Sequence, residues 1–79
     1  HDVELTYHDI LVLRTQNYLI LGNTEGAILS FNQIDFDQLV FEVDEACKQE
    51  FEDDELEDLI ECLCIVSHNG FCPFGDLND

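Results

Sequence analysis

A chain of 79 residues carries 19 Asp and Glu against only two Lys and Arg, so its formal net charge at pH 7 is −17. This balance excludes nucleic acid and anionic membranes as direct partners, because binding to either depends on Lys and Arg side chains. The length predicts one small domain covering residues 1–79, and a hydrophobic content of 46% predicts that this domain folds despite its charge.

The first 31 residues contain short apolar runs of the kind that form an antiparallel sheet. Val3, Leu5 and Tyr7 alternate with polar residues, which is the period of a strand with one buried face. Further strand-sized apolar runs follow, separated by polar residues, at 10–13, 18–21 and 27–31. Gly22 and Gly26, between the last two runs, allow the positive φ angles of a hairpin loop. We therefore expect a meander sheet of three or four strands.

Two amphipathic helices are predicted after the sheet. Asp35 and Gln38 form a capping-box pattern that starts a helix over residues 36–51, and a similar pattern precedes a second helix over residues 55–68. Apolar residues recur at helical spacing through both segments. The predicted fold is therefore α+β, with the sheet of residues 3–31 covered on one face by the two helices.

The segment 35–61 concentrates the charge of the chain. It holds 13 of the 19 carboxylates and one basic residue, Lys48, so its own net charge is −12. Carboxylates at i,i+3 and i,i+4 on a helix lie about 5–6 Å apart at Cβ, which is comparable with the phosphate spacing of a nucleic-acid strand. Phe41 projects among them, either as an exposed anchor for a partner or buried by the second helix. The predicted partner-binding residues are Asp37, Phe41, Asp44, Glu45, Asp54, Glu57, Asp58 and Glu61.

The cysteines allow three interpretations. Cys64, His68 and Cys72, together with Cys47 or Cys62, supply donors of the zinc-binding type, although their spacing matches no recognised zinc motif. Two disulfides are a second interpretation. Buried reduced thiols are the prediction that we favour from the sequence, because a helical, apolar-rich chain without a secretion signal fits the cytosol. We expect no metal and no other cofactor, since no calcium-binding loop motif is present either.

These observations favour a binding protein over an enzyme, because no catalytic motif is present. In size and charge the chain resembles the small acidic nucleic-acid mimics often encoded by bacteriophages and mobile elements. That resemblance implies an inhibitor in the cytoplasm of a host cell, which blocks the basic cleft of a nucleic-acid-binding protein such as a restriction, CRISPR or DNA-repair component. The alternatives are an acidic adaptor that binds a basic partner without competing with nucleic acid, and an acidic surface that serves only solvation.

Overall fold

The computed structural model describes residues 6–40 and 42–67, and these residues form helices and connecting segments without any strand. Helix α1 spans Tyr7–Ile20, helix α2 spans Thr24–Phe31 and helix α3 spans Leu56–Val66. Two short 3₁₀ helices, Phe36–Gln38 and Glu45–Lys48, lie between α2 and α3. The predicted α+β fold is therefore wrong, because the segment expected to form the sheet forms α1 and α2 instead.

Helix α1 was missed because polar residues occupy part of its buried face. Its inward positions follow helical spacing, but two of the five, Thr15 and Gln16, are polar. The hydroxyl of Thr15 donates a hydrogen bond of 2.7 Å to the carbonyl oxygen of Leu11, which satisfies it inside the helix. At the start of α1, Thr6 Oγ1 accepts from the backbone N–H of Asp9 and the Asp9 carboxylate accepts from the backbone N–H of Thr6, a complete capping box.

Helix α2 follows α1 after a turn of three residues. Gly22 in this turn has φ +80°, the conformation that the sequence led us to expect there. Gly26, which was expected in the same loop, lies in the first turn of α2, where its backbone N–H donates to Oδ1 of the N-cap residue Asn23. After this turn α2 packs mainly against α1 and less extensively against α3.

The predicted helix over residues 36–51 does not form. Asp35 does act as a cap, but its carboxylate accepts from the backbone N–H of Asp37, and the 3₁₀ helix ends at Gln38 because Leu39 is extended. Like charges three or four residues apart destabilise a helix, but the segment that follows contains one such pair, Glu42 and Glu45, so repulsion is at most a small part of the reason. The predicted second helix corresponds to α3, although its N-cap residue is Glu55 and no side chain caps it.

The core lies between the three helices and collects apolar side chains from the connecting segment as well. Its fully buried centre includes Leu11, Phe31 and Leu63. The ring of Phe31 packs against Phe51 at a centroid distance of 5.3 Å and against Phe36 at 5.4 Å. Aromatic pairs at this distance stabilise beyond their buried area. The long segment between α2 and α3 is therefore attached to the core at both of these rings.

Candidate acidic interface

Residues 35–61, which we call the acidic segment, expose nearly all of their carboxylates. Glu55 is half-buried, and the other twelve are exposed: Asp35, Asp37, Glu42, Asp44, Glu45, Glu50, Glu52, Asp53, Asp54, Glu57, Asp58 and Glu61. Lys48 is the one cationic residue in this stretch of the sequence. A surface of this composition produces a strong negative potential around it, extending about a Debye length, roughly 8 Å at physiological salt.

Helix α3 arranges three of these carboxylates regularly. Glu57, Asp58 and Glu61 are exposed, whereas Leu59 and Leu63 on the same helix are fully buried. Residues 57 and 61 are one turn apart, and so are residues 58 and 61, so that adjacent Cβ atoms lie about 5–6 Å from each other. We call these three residues the α3 stripe. The structure thus brings together three of the predicted partner-binding residues on one helix face.

The other predicted binding residues are exposed but do not share a helix face. Asp37 lies in the first 3₁₀ helix, Asp44 and Glu45 lie at the start of the second, and Asp54 lies in the turn before α3. The predicted helix over residues 36–51, which would have carried Asp37, Asp44 and Glu45 together, does not form. Phe41, the predicted aromatic anchor, lies outside the described residues.

A disulfide between Cys47 and Cys62 joins the second 3₁₀ helix to α3. Both cysteines are buried, with Cα atoms 5.3 Å apart. The expectation of reduced thiols is therefore wrong for this pair. The sequence alone does not identify this pairing, because residues 47 and 62 are 15 positions apart and come together only when the second 3₁₀ helix packs against α3.

Cys64 is also disulfide-bonded, which removes it from the zinc site considered from the sequence. His68 and Cys72, the other two candidate ligands, lie outside the described residues. Over residues 6–40 and 42–67, no group of three or more His, Cys, Asp or Glu side chains is arranged to hold a metal ion.

Asn32 fastens the acidic segment to α2 by two reciprocal hydrogen bonds. Its Nδ2 donates to the carbonyl oxygen of Phe51 at 3.3 Å, and its Oδ1 accepts from the backbone N–H of Phe51 at 3.1 Å. The Phe51 side chain is itself buried in the core. Sequence analysis missed this pair, which has no local pattern because the residues are 19 positions apart. Together with the disulfide, the pair fixes where the acidic segment runs.

Two open grooves border the segment. One, of about 360 Å³, is lined by Ile34, Asp35, Phe36, Asp37 and Lys48. The other, of about 460 Å³, lies between the start of α1 and residues 38–40; its lining includes Tyr7, Leu39 and Val40. The first groove combines a cation with two carboxylates, and the second is mostly apolar.

Comparison with protein-family models, with curated proteins and with solved structures found no match to this chain. None of the described helices is both long enough and apolar enough to cross a membrane.

Proposed function

We propose that this protein binds a basic, nucleic-acid-binding protein through the acidic segment and competes there with nucleic acid. The observation that supports this proposal is the exposure of twelve carboxylates in a stretch that contains one cation. Such a surface attracts a Lys- and Arg-rich partner by long-range steering. Binding also relieves the repulsion between the carboxylates themselves, so that the partner restores stability that the free protein lacks.

The α3 stripe is the part of the surface best suited to imitate phosphates. Its carboxylates repeat at about 5–6 Å on a helix, and the disulfide of Cys62 ties that helix to the second 3₁₀ helix. Side chains held in place before binding lose less conformational entropy when the partner arrives. A partner that normally grips a nucleic-acid backbone would meet the stripe with the Lys and Arg side chains it uses for phosphates.

The disulfide bears on where the partner is found. Disulfides form and persist in oxidising compartments and are rare in the cytosol. The Cys47–Cys62 bond therefore favours a secreted or otherwise oxidising setting over the host cytoplasm expected from the sequence. The proposed partner class becomes a basic nucleic-acid-binding protein present in such a setting, for example a secreted nuclease.

A competition experiment tests the proposal. The labelled, oxidised protein is titrated with a panel of basic nucleases and nucleic-acid-binding domains, with and without saturating oligonucleotide. We expect at least one complex that weakens steeply as salt rises and is displaced by the oligonucleotide, since both ligands would use the same cationic side chains. A complex that forms equally well on the oligonucleotide-bound partner would instead support the adaptor function.

Matched variants separate the position of the charges from their number. One variant neutralises the α3 stripe (Glu57→Gln, Asp58→Asn, Glu61→Gln). The control removes the same number of charges, with the same types of substitution, from exposed positions before the helix (Glu50→Gln, Glu52→Gln, Asp53→Asn). We expect the stripe variant to lose more affinity than the control. Equal losses would show that net charge alone governs binding and that the stripe has no special part.

A further inference from the structure

Helix α1 carries a second surface whose chemistry is opposite to that of the acidic segment. Four large apolar side chains of this helix are exposed, Tyr7 (61%), Ile10 (41%), Leu13 (47%) and Ile20 (62%), and so is its C-cap residue Leu21 (78%). With 3.6 residues per turn they fall within about 140° of arc. We call this surface the α1 outer face. Exposed apolar side chains that lie together on one side of a helix, rather than singly, indicate a contact site.

The α1 outer face also lacks acidic residues. The polar residues that helical geometry places on it are Arg14, one of the two cations of the chain, and Asn17, both of them exposed. The one carboxylate in the sequence of α1 belongs to Asp9, which takes part in the capping box. A basic partner of the acidic segment thus has no electrostatic reason to bind this face, because it would meet Arg14 instead of carboxylates.

We propose that the α1 outer face pairs with the same face of a second copy, so that the protein forms an antiparallel homodimer through α1. A two-fold axis beside Leu13 places Tyr7 of one copy against Ile20 and Leu21 of the other, aromatic against aliphatic, at both ends of the contact. The face is therefore self-complementary, as an isologous interface must be. The described residues of this face carry no carboxylate, so two copies, each of charge −17, would bring no acidic side chains into direct contact there.

The contact is small, which favours a weak dimer. Helix α1 has 14 residues and is about 21 Å long, so a single helix pair buries less than the roughly 800 Å² per partner of a standard interface. We therefore expect a weak dimer, with a Kd on the order of 1–50 μM. A dimer would present two acidic segments at once, which raises the avidity for an extended basic partner.

Sedimentation velocity over a concentration series tests the pairing. We expect the dimer to become stronger between about 50 mM and about 500 mM NaCl, because salt screens the repulsion between the copies and leaves the apolar contact intact. Binding of a basic partner to the acidic segment has the opposite salt dependence. The dimer and the proposed function can therefore be refuted separately. A protein that stays monomeric up to about 500 μM at the higher salt, a concentration well above a micromolar Kd, overturns the dimer.

Two pairs of substitutions locate the interface. Leu13→Gln with Ile20→Gln should raise the dimer Kd at least about tenfold, which corresponds to about 1.4 kcal/mol. The control pair, Leu29→Gln with Ile65→Gln, changes apolar residues of similar exposure on α2 and α3 and should leave the dimer unchanged. A dimer that survives the first pair or is lost with the control overturns the assignment.

Two further measurements keep the test decisive. Circular dichroism confirms the fold of each variant, and if the first pair unfolds, Ile10→Gln with Leu21→Gln replaces it as the test of the same face. A monomer that binds uncharged phosphatidylcholine vesicles, and loses that binding with Leu21→Gln, would overturn the dimer and assign the α1 outer face to a lipid surface.

Discussion

Removal of the Cys47–Cys62 disulfide should cost a large part of the stability of this domain. The perturbation is Cys47→Ala with Cys62→Ala, made together so that neither cysteine is left to pair with another thiol. The bond joins residues 15 positions apart. The chain-entropy estimate for a loop of this length is about 3 kcal/mol at room temperature. Both sulfur atoms are also lost from buried positions, which adds to the destabilisation.

The significance of about 3 kcal/mol follows from the size of the domain. A chain of 79 residues has a free energy of unfolding of about 4–12 kcal/mol at typical per-residue values. The disulfide would therefore supply between a quarter and three quarters of it. In a domain of this size, about 3 kcal/mol corresponds to a fall in Tm of roughly 12–24 °C.

Urea denaturation followed by far-UV circular dichroism measures the effect on the oxidised protein and on the double variant. The variant is preferable to a reducing agent, because a reductant would also open the disulfide of Cys64. Tryptic mapping provides the structural control: cleavage after Lys48 should leave fragments 15–48 and 49–79 joined until reductant is added. A free energy of unfolding that changes by less than about 1 kcal/mol would refute the argument that the bond constrains the unfolded chain.

Two further outcomes are expected. Asn32→Ala should lower the free energy of unfolding by about 1–3 kcal/mol, because it removes both hydrogen bonds to the Phe51 backbone; urea denaturation beside the exposed control Asn17→Ala checks this, and equal effects of the two substitutions would contradict it. The Tm should rise between about 10 mM and about 500 mM NaCl, since salt screens repulsion among the carboxylates; a flat calorimetric profile would mean that bound cations already compensate them.

The parts of the fold that the sequence predicted correctly are those where the pattern is local and unmixed. In α3 the apolar positions Leu59 and Leu63 face the core and Glu57 and Glu61 face solvent, so the helical period is visible directly. In α1 the pattern is mixed, since its outer face is apolar and buried Thr15 interrupts the inner one. Short apolar runs then resemble strands buried on both sides.

Some local patterns that identify α1 and α2 were present in the sequence and were outweighed by the apolar runs. Thr6 and Asp9 have the spacing of a capping box, and Asn23 is a preferred N-cap residue. The sequence predicts that Gly26 serves a hairpin loop. In the structure it is instead a position of close packing, where a Cβ would come within 2.9 Å of the Asn23 amide and 3.1 Å of the Tyr18 ring. That crowding exists only in the folded structure, and so does the pairing of Cys47 with Cys62.

The Cys47–Cys62 disulfide holds the acidic segment in place against α3. In the segment 35–61, charge leaves few side chains for the core, and the buried ones among its described residues are Cys47, Phe51 and Leu59. Removing the bond changes no carboxylate, so long-range steering of a basic partner, and with it the association rate, stays the same. The partner would then have to order the segment itself, a cost that lowers affinity through faster dissociation. Under the proposed function, charge would therefore determine which partner approaches, and the disulfide would determine how slowly that partner dissociates.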